Sequence, residues 1–217
     1  PYSCTGTGTV LREWWTDISG NSVSNLTTND RFPYEPSGSN YPTSFEAPTS
    51  FGDNYGTRMQ AYLCPPYSGV YTFWIASDDN SELWLSASDN PAAKSKIANV
   101  TNYTSSREWT KYSSQKSVGI TLQAGQLYYI EALHKEGSGG DNLAVAWAGP
   151  GVSESATVID GQYLIPVSPV HVPTRTPTST PPPNCNVIEN LSLSSGSYEG
   201  LMVQYYSSSD TGYVLES

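Results

Sequence analysis

The chain has 217 residues and sets 20 Asp and Glu against 10 Lys and Arg, a formal charge of -10. That sign repels phosphate backbones and anionic lipid headgroups and argues against nucleic-acid and membrane-surface roles, and no apolar run approaches the roughly 18 residues that span a bilayer. Charged residues are only 14% and Tyr (16) and Trp (6) outnumber Phe (4), a β-forming mix that points to an all-β fold and supplies amphipathic rings suited to stacking on sugars.

Residues 5–15 read as a β-type opening, with Val10, Arg12 and Trp14 on one face and Leu11, Glu13 and Trp15 on the other. Residues 17–54 are polar and loop-like, punctuated by Pro33, Pro36, Pro42 and Pro48; so long an irregular stretch is either functional or wrapped over the surface. Strands over 57–63 and 70–76 flank a turn at 65–69 built on Pro-Pro and Ser-Gly. A loop over 77–81 leads to a strand over 82–86, in which Leu83 and Leu85 alternate with Trp84. Further strands are predicted over 118–122, 127–133 and 143–148, and no segment sustains a helical period. Many short strands with regular turn signals predict an antiparallel β-sandwich, jelly-roll-like, over residues 1–167.

Residues 168–184 form a Pro/Thr-rich linker whose prolines favour an extended polyproline spacer, with Thr174, Thr176, Thr178, Ser179 and Thr180 as O-glycosylation candidates. Residues 185–217 read as the start of a second domain or as a strand, 200–206, donated to a neighbour. The chain opens at Pro1 without a signal peptide, which reads as a processed or excised segment. Three cysteines, Cys4, Cys64 and Cys185, leave one over; Cys4 with Cys64 is the expected disulfide, since both flank predicted strands. Sequons at Asn25, Asn99, Asn102 and Asn190 are N-glycan acceptors in a eukaryotic host and strengthen a secreted or cell-surface reading.

Three segments, GTGTVLREWW, YGTRMQAYLCPPYSGVYTFWIASDDNSELWLS and IEALHKEGSGGDNLAVAW, resemble the lectin-like domain named after the fourteen-kilodalton piece of a toxin's protective antigen, found also in yeast flocculins, fungal epithelial adhesins and bacterial glycosidases. The likeness covers roughly residues 5–165. It implies that Asp78 and Asp79, joined by a cis peptide, chelate one calcium ion, and that the loop over 139–143 completes the site through Asp141 and Asn142. It also implies that vicinal hydroxyls of a sugar bind on that calcium, over a surface of Asp78, Asp79, Asn80, Gly140, Asp141 and Asn142. The residue chemistry is compatible, since calcium is a hard cation that takes several oxygen ligands at once. Adjacent Asp residues on a regular strand point to opposite faces, so both reach one ion only if the backbone departs from a strand; Asp-Asp-Asn is otherwise ordinary turn chemistry.

Trp84, Trp109 and Trp147 are candidates for stacking on the sugar, although Trp84 and Trp147 sit in predicted strands and read more readily as core. His134, at a strand-to-loop turn, reads as structural, and His171 stands in the linker. No catalytic or phosphate-binding motif is present, and adjacent Asp78 and Asp79 stand too close to flank a scissile glycosidic bond. The sequence therefore predicts a non-enzymatic, extracellular, calcium-dependent carbohydrate-binding module whose partners are cell-surface or extracellular glycans. The alternative is a structural subunit of a glycosylated filament that joins neighbouring copies of itself by strand donation through 200–206.

Overall fold

A computed structural model of the chain describes residues 8–168. Cys4, Cys185, Asn190, the linker from residue 169 onward with its O-glycosylation candidates, and the 200–206 strand lie outside the described residues. In chain order the elements are β1 (Leu11–Trp15), α1 (Val23–Thr27), β2 (Gly38–Asn40), β3 (Tyr55–Leu63), β4 (Gly69–Asp78), β5 (Asn80–Ser86), β6 (Lys94–Val100), β7 (Ile120–Leu122), β8 (Tyr128–Glu136), β9 (Asn142–Gly149), β10 (Ser153–Val158) and β11 (Leu164–Pro166).

The strands form two sheets. The larger runs β2-β1-β3-β8-β5-β6, with β11 also paired to β3; the smaller runs β10-β9-β4-β7. The pairings are antiparallel. β1 occupies β3 from Gly56 to Gln60 and β11 takes over from Ala61 to Leu63, so two short strands share one edge of a long one.

Alternation decides which residues meet between the sheets. Met59, Ala61 and Leu63 of β3, Leu83 and Leu85 of β5, and Ile130 and Ala132 of β8 pack with Tyr71, Phe73 and Ile75 of β4 and Val145 and Trp147 of β9 in one buried cluster. The antiparallel sandwich expected from the sequence is thus present. On the outer side of the larger sheet, Glu13 accepts from Arg58 Nη2 at 2.7 Å and from Gln60 Nε2 at 3.0 Å, which places Glu13 opposite Val10, as the alternation over 5–15 predicts.

Several boundaries differ from the sequence expectation. The 17–54 stretch is not wholly irregular: it holds α1, whose entry is fixed by the Ser22 amide donating to Asn25 Oδ1 at 3.0 Å, and β2. β6, β10 and β11 have no counterpart among the predicted strands: β6 and β10 have exposed, polar residues that give weak alternation, and β11 is only three residues long. The expected loop over 77–81 is a single residue: β4 runs through Asp78 and β5 begins at Asn80.

Trp147 sits at the centre of the core with no exposed surface, stacked on Tyr71 at 5.1 Å and edge-on to Tyr163 at 5.1 Å. Its truncation leaves a cavity in a close-packed interior. Trp147→Ala is expected to lower unfolding stability by about 3–5 kcal/mol in urea titrations, whereas Trp84→Ala, at a half-buried position, is expected to cost far less.

Candidate functional site

Two corners of the chain build the site. β4 belongs to the smaller sheet and β5 to the larger, so the chain crosses the sandwich at Asp79 alone. β8 belongs to the larger sheet and β9 to the smaller, so residues 137–141 make the return crossing. Strand register sets the two corners side by side, with Asp78 paired to Asn142 across β4 and β9 and Asn80 paired to Lys135 across β5 and β8.

The Asp78–Asp79 peptide is cis, as the resemblance implies. Buried side chains hold both carbonyls of the pair: His134 Nε2 donates to Asp78 O at 2.6 Å, and Ser77 Oγ donates to Asp79 O at 2.6 Å. A carbonyl only accepts, so Nε2 carries the His134 proton. Burial also pushes this imidazole down to about 4, which keeps it neutral. His134 is structural, as expected.

Carboxylate oxygens of Asp78, Asp79 and Glu136 converge within 4.8 Å of one another. Glu136 closes β8 and is fully buried; sequence reasoning missed it because Glu136 precedes the Gly-rich loop in a run that also contains Lys135, and nothing in that run marks which of the two side chains turns inward. Asp141 and Asn142 lie beside this cluster in different roles. Asp141 Oδ2 accepts from the Phe51 amide at 2.7 Å, the Gly52 amide at 3.0 Å and Tyr55 OH at 3.0 Å, so it ties down the loop that precedes β3. Asn142 Nδ2 donates to Thr104 O at 2.9 Å, and Thr104 is itself bonded to Ser77, which ties the 101–112 loop to the hinge.

The acceptors left over define what the site can hold. Asn80 Oδ1, both Glu136 oxygens, Asp141 Oδ1 and Asn142 Oδ1 are buried without a hydrogen-bond partner among the described residues. An unpaired buried acceptor is costly, and the convergent carboxylates of Asp78, Asp79 and Glu136 make an oxygen donor set of the kind a hard cation takes. Space is kept for it by glycine: a Cβ on Gly140 would stand 3.2 Å from Asp78 Oδ2, and Gly139 at φ +115 turns the corner in the left-handed region.

Charge agrees with this fit. Four carboxylates, Asp78, Asp79, Glu136 and Asp141, act on one another here, opposed by the buried cations Arg12 near Asp141 and Lys135 near Glu136 and Asp79. Negative charge is in excess in this cluster, and a cation would relieve it. Burial, Asp79 and Asp141 raise the Asp78 carboxyl, with exposed Lys111 opposing. Burial, then Asp79 and Asp78, push Glu136 up to about 7.

Other candidates fall elsewhere. Trp147 is core, Trp109 is half-buried and packs on the Trp74 cluster, and Trp84 lies half-buried with the Lys94 and Lys96 ammonium groups near its ring. Open rings near the site come instead from Phe51 and Tyr103, 38% and 51% exposed. Asn25 and Asn102 are exposed and Asn99 is half-buried in β6. Cys64 is disulfide-bonded.

A carboxyl raised on folding stabilises the fold below its unfolded value, near 4.5, and that contribution is lost as pH rises through the folded value. Metal-free protein is therefore expected to lose stability between about pH 4.5 and pH 7, and Glu136→Gln to flatten that slope; urea unfolding across the range with chelator present measures both.

Comparison with known proteins places this arrangement. A PA14 domain family model matches residues 8–161. Mouse N-acetyl-beta-glucosaminyl-glycoprotein 4-beta-N-acetylgalactosaminyltransferase 1 is 37% identical over 145 residues, 64% of this chain and 14% of that protein. Mouse fibrocystin-L is 36% identical over 84 residues, 39% of this chain and 2% of that protein. The chain thus spans a small part of the curated relatives it matches. Among solved structures, the epithelial adhesin 6 A domain of Candida glabrata, in complex with Galb1-3GlcNAc, aligns with a TM-score of 0.53 at 12% identity, covering 78% of this chain and 91% of that one. A PA14 sugar-binding domain from an RTX adhesin aligns at 0.54 and 10% identity, covering 72% and 97%. At these identities the structural neighbours show the shared fold. With the family model matched over most of the described residues and the paired Asp hinge in place, the chain belongs to the PA14 domain family.

Proposed function

We propose that the chain is a calcium-dependent carbohydrate-binding module that works outside the cell. The observation that carries this reading is the convergence of the Asp78, Asp79 and Glu136 carboxylates at the hinge, with neither Glu136 oxygen hydrogen-bonded among the described residues. Asp78, Asp79 and Glu136 would hold the ion, with Asn142, paired to Asp78 across β4 and β9, beside them. Bound calcium offers open coordination positions that two vicinal hydroxyls of a saccharide can occupy in place of water. The chain's own residues do the rest. His134 and Ser77 fix the hinge carbonyls, Asp141 and Asn142 anchor the two flanking loops, and Gly140 keeps the opening clear.

The sugar-binding descriptions of two structural neighbours, one of them solved with Galb1-3GlcNAc, support glycans as partners. Exposed sequons at Asn25 and Asn102 and the disulfide at Cys64, for which Cys4 is the proposed partner, suit a secreted or cell-surface protein. The module is proposed to bind rather than catalyse. The converging carboxylates of Asp78, Asp79 and Glu136 suit one shared cation rather than two groups placed on either side of a scissile bond. In the mouse transferase the matched segment is 14% of the protein.

Calorimetry should show calcium binding by the wild type and at least about a hundredfold weaker binding by Asp79→Ala, a loss of about 2.7 kcal/mol. Glycan-array signals should vanish with chelator and return with added calcium. Absence of calcium binding, or glycan binding that survives chelation, would overturn the reading.

A further inference from the structure

We infer that Phe51 is a second recognition element of this site, stacking on the pyranose next to the one held at the acidic hinge, so that the ligand is an oligosaccharide of at least two rings. The inference rests on the glycan-binding reading above and extends it.

Phe51 is 38% exposed, yet it is held from several sides. Its amide and that of Gly52 both donate to Asp141 Oδ2, and Asp53 Oδ1 accepts from the Gly139 amide at 3.1 Å, so the loop that carries Phe51 is bonded to the corner that carries the site. Ser50 reaches φ 55 just before it. The Phe51 ring meets Trp14 edge-on at 5.3 Å and Tyr55 edge-on at 5.1 Å. The Arg12 guanidinium, with no exposed surface and no hydrogen-bond partner for its three nitrogens among the described residues, lies 4.2 Å from the Phe51 ring centroid. Arg12 and Trp14 thus support the ring from within and leave its remaining surface in water.

Position links that surface to the hinge. Tyr55, which touches Phe51, is the direct partner of Glu136 in the β3–β8 ladder, and Glu136 belongs to the acidic cluster. The ring is thus linked to the acidic cluster through one side chain, Tyr55. A large apolar ring fixed in water by hydrogen bonds at its own backbone gains nothing until something apolar covers it. Phenylalanine has no polar atom, so its contribution is contact with the C–H face of a pyranose rather than a hydrogen bond. Tyr103, the other exposed ring beside the site, has the exposed Lys111 ammonium 3.6 Å from its centroid, whereas the cation behind Phe51 is the fully buried Arg12.

The test is titration of the wild type, Phe51→Ala and Phe51→Trp with calcium, followed by an array of mono- and oligosaccharides that carry vicinal diols. Expected results for Phe51→Ala are calcium affinity within about twofold of wild type, monosaccharide binding unchanged, and oligosaccharide binding weakened about tenfold, with Phe51→Trp restoring it. Equal oligosaccharide binding by wild type and Phe51→Ala overturns the inference and leaves the calcium-lectin reading standing. So does equal loss for mono- and oligosaccharides, or loss of calcium binding in Phe51→Ala, since Phe51 would then serve the first sugar or the fold. A wild type that binds calcium but no glycan overturns both.

Discussion

Repulsion among carboxylates in a water-poor corner is the constraint on which the rest of this site depends. Asp78, Asp79, Glu136 and Asp141 are brought together where two strands end and two begin, and burial raises both Asp78 and Glu136. Like charges held this close are unfavourable in low dielectric. They persist because the surrounding fold over-determines their positions. The ladder pairs Asp78 with Asn142 and Asn80 with Lys135 whatever the charge state, and the packed sandwich stands behind those pairings. The corner is thus a place where the core's stability is used to hold an arrangement that a cation relieves.

The polar residues beneath the corner follow from the same constraint. Arg12 and Lys135 are buried cations, each near a carboxylate of the cluster, and neither makes an ion pair among the four in the described residues. Lys135 instead donates to Gly20 O and Glu136 O, both at 2.5 Å, which pins the loop before α1 to the end of β8. His134 is neutral and hydrogen-bonded to the hinge. His134 sits on the extension of a strand whose next inward residues, Ile130 and Ala132, are apolar, as Thr57 does beyond Met59 and Ala61. The sandwich therefore changes from oily to polar along its own strands, and the loops take their anchors from that polar end.

Loop anchoring gives the corner its reach. Asp141 and Asn142 are neighbours on the chain and their side chains diverge, as adjacent residues entering a strand must. One ties down the 51–52 backbone and the other the 101–112 loop through Thr104. Two segments that carry no regular structure are in this way fixed relative to a hinge made of a single residue. Loops held by a rigid scaffold are where binding surfaces are commonly built, and here the scaffold's hold is visible bond by bond.

Alternation and turn chemistry were enough to read the sandwich, because Met59, Ala61 and Leu63 or Leu83 and Leu85 repeat at the strand period and Pro65-Pro66 with Gly69 punctuates them. The Asp78-Asp79 pair and the Gly-rich loop before Asn142 were legible as a candidate cation site through the family resemblance. β6, β10 and β11 were not legible, since an edge strand buries too little for its pattern to stand out from a loop. Glu136 was also not legible: it lies 57 residues beyond Asp79, and only the pairing of β8 with β3 and β5 turns its carboxylate toward the hinge. The opposite assignments of Asp141 and Asn142 and the presentation of Phe51 over Arg12 were decided by tertiary structure alone. The sequence by itself determined which residues are able to bind a cation, because that is a property of side-chain chemistry. Which of them meet was decided by strand register, a long-range pairing that no local stretch of the chain contains.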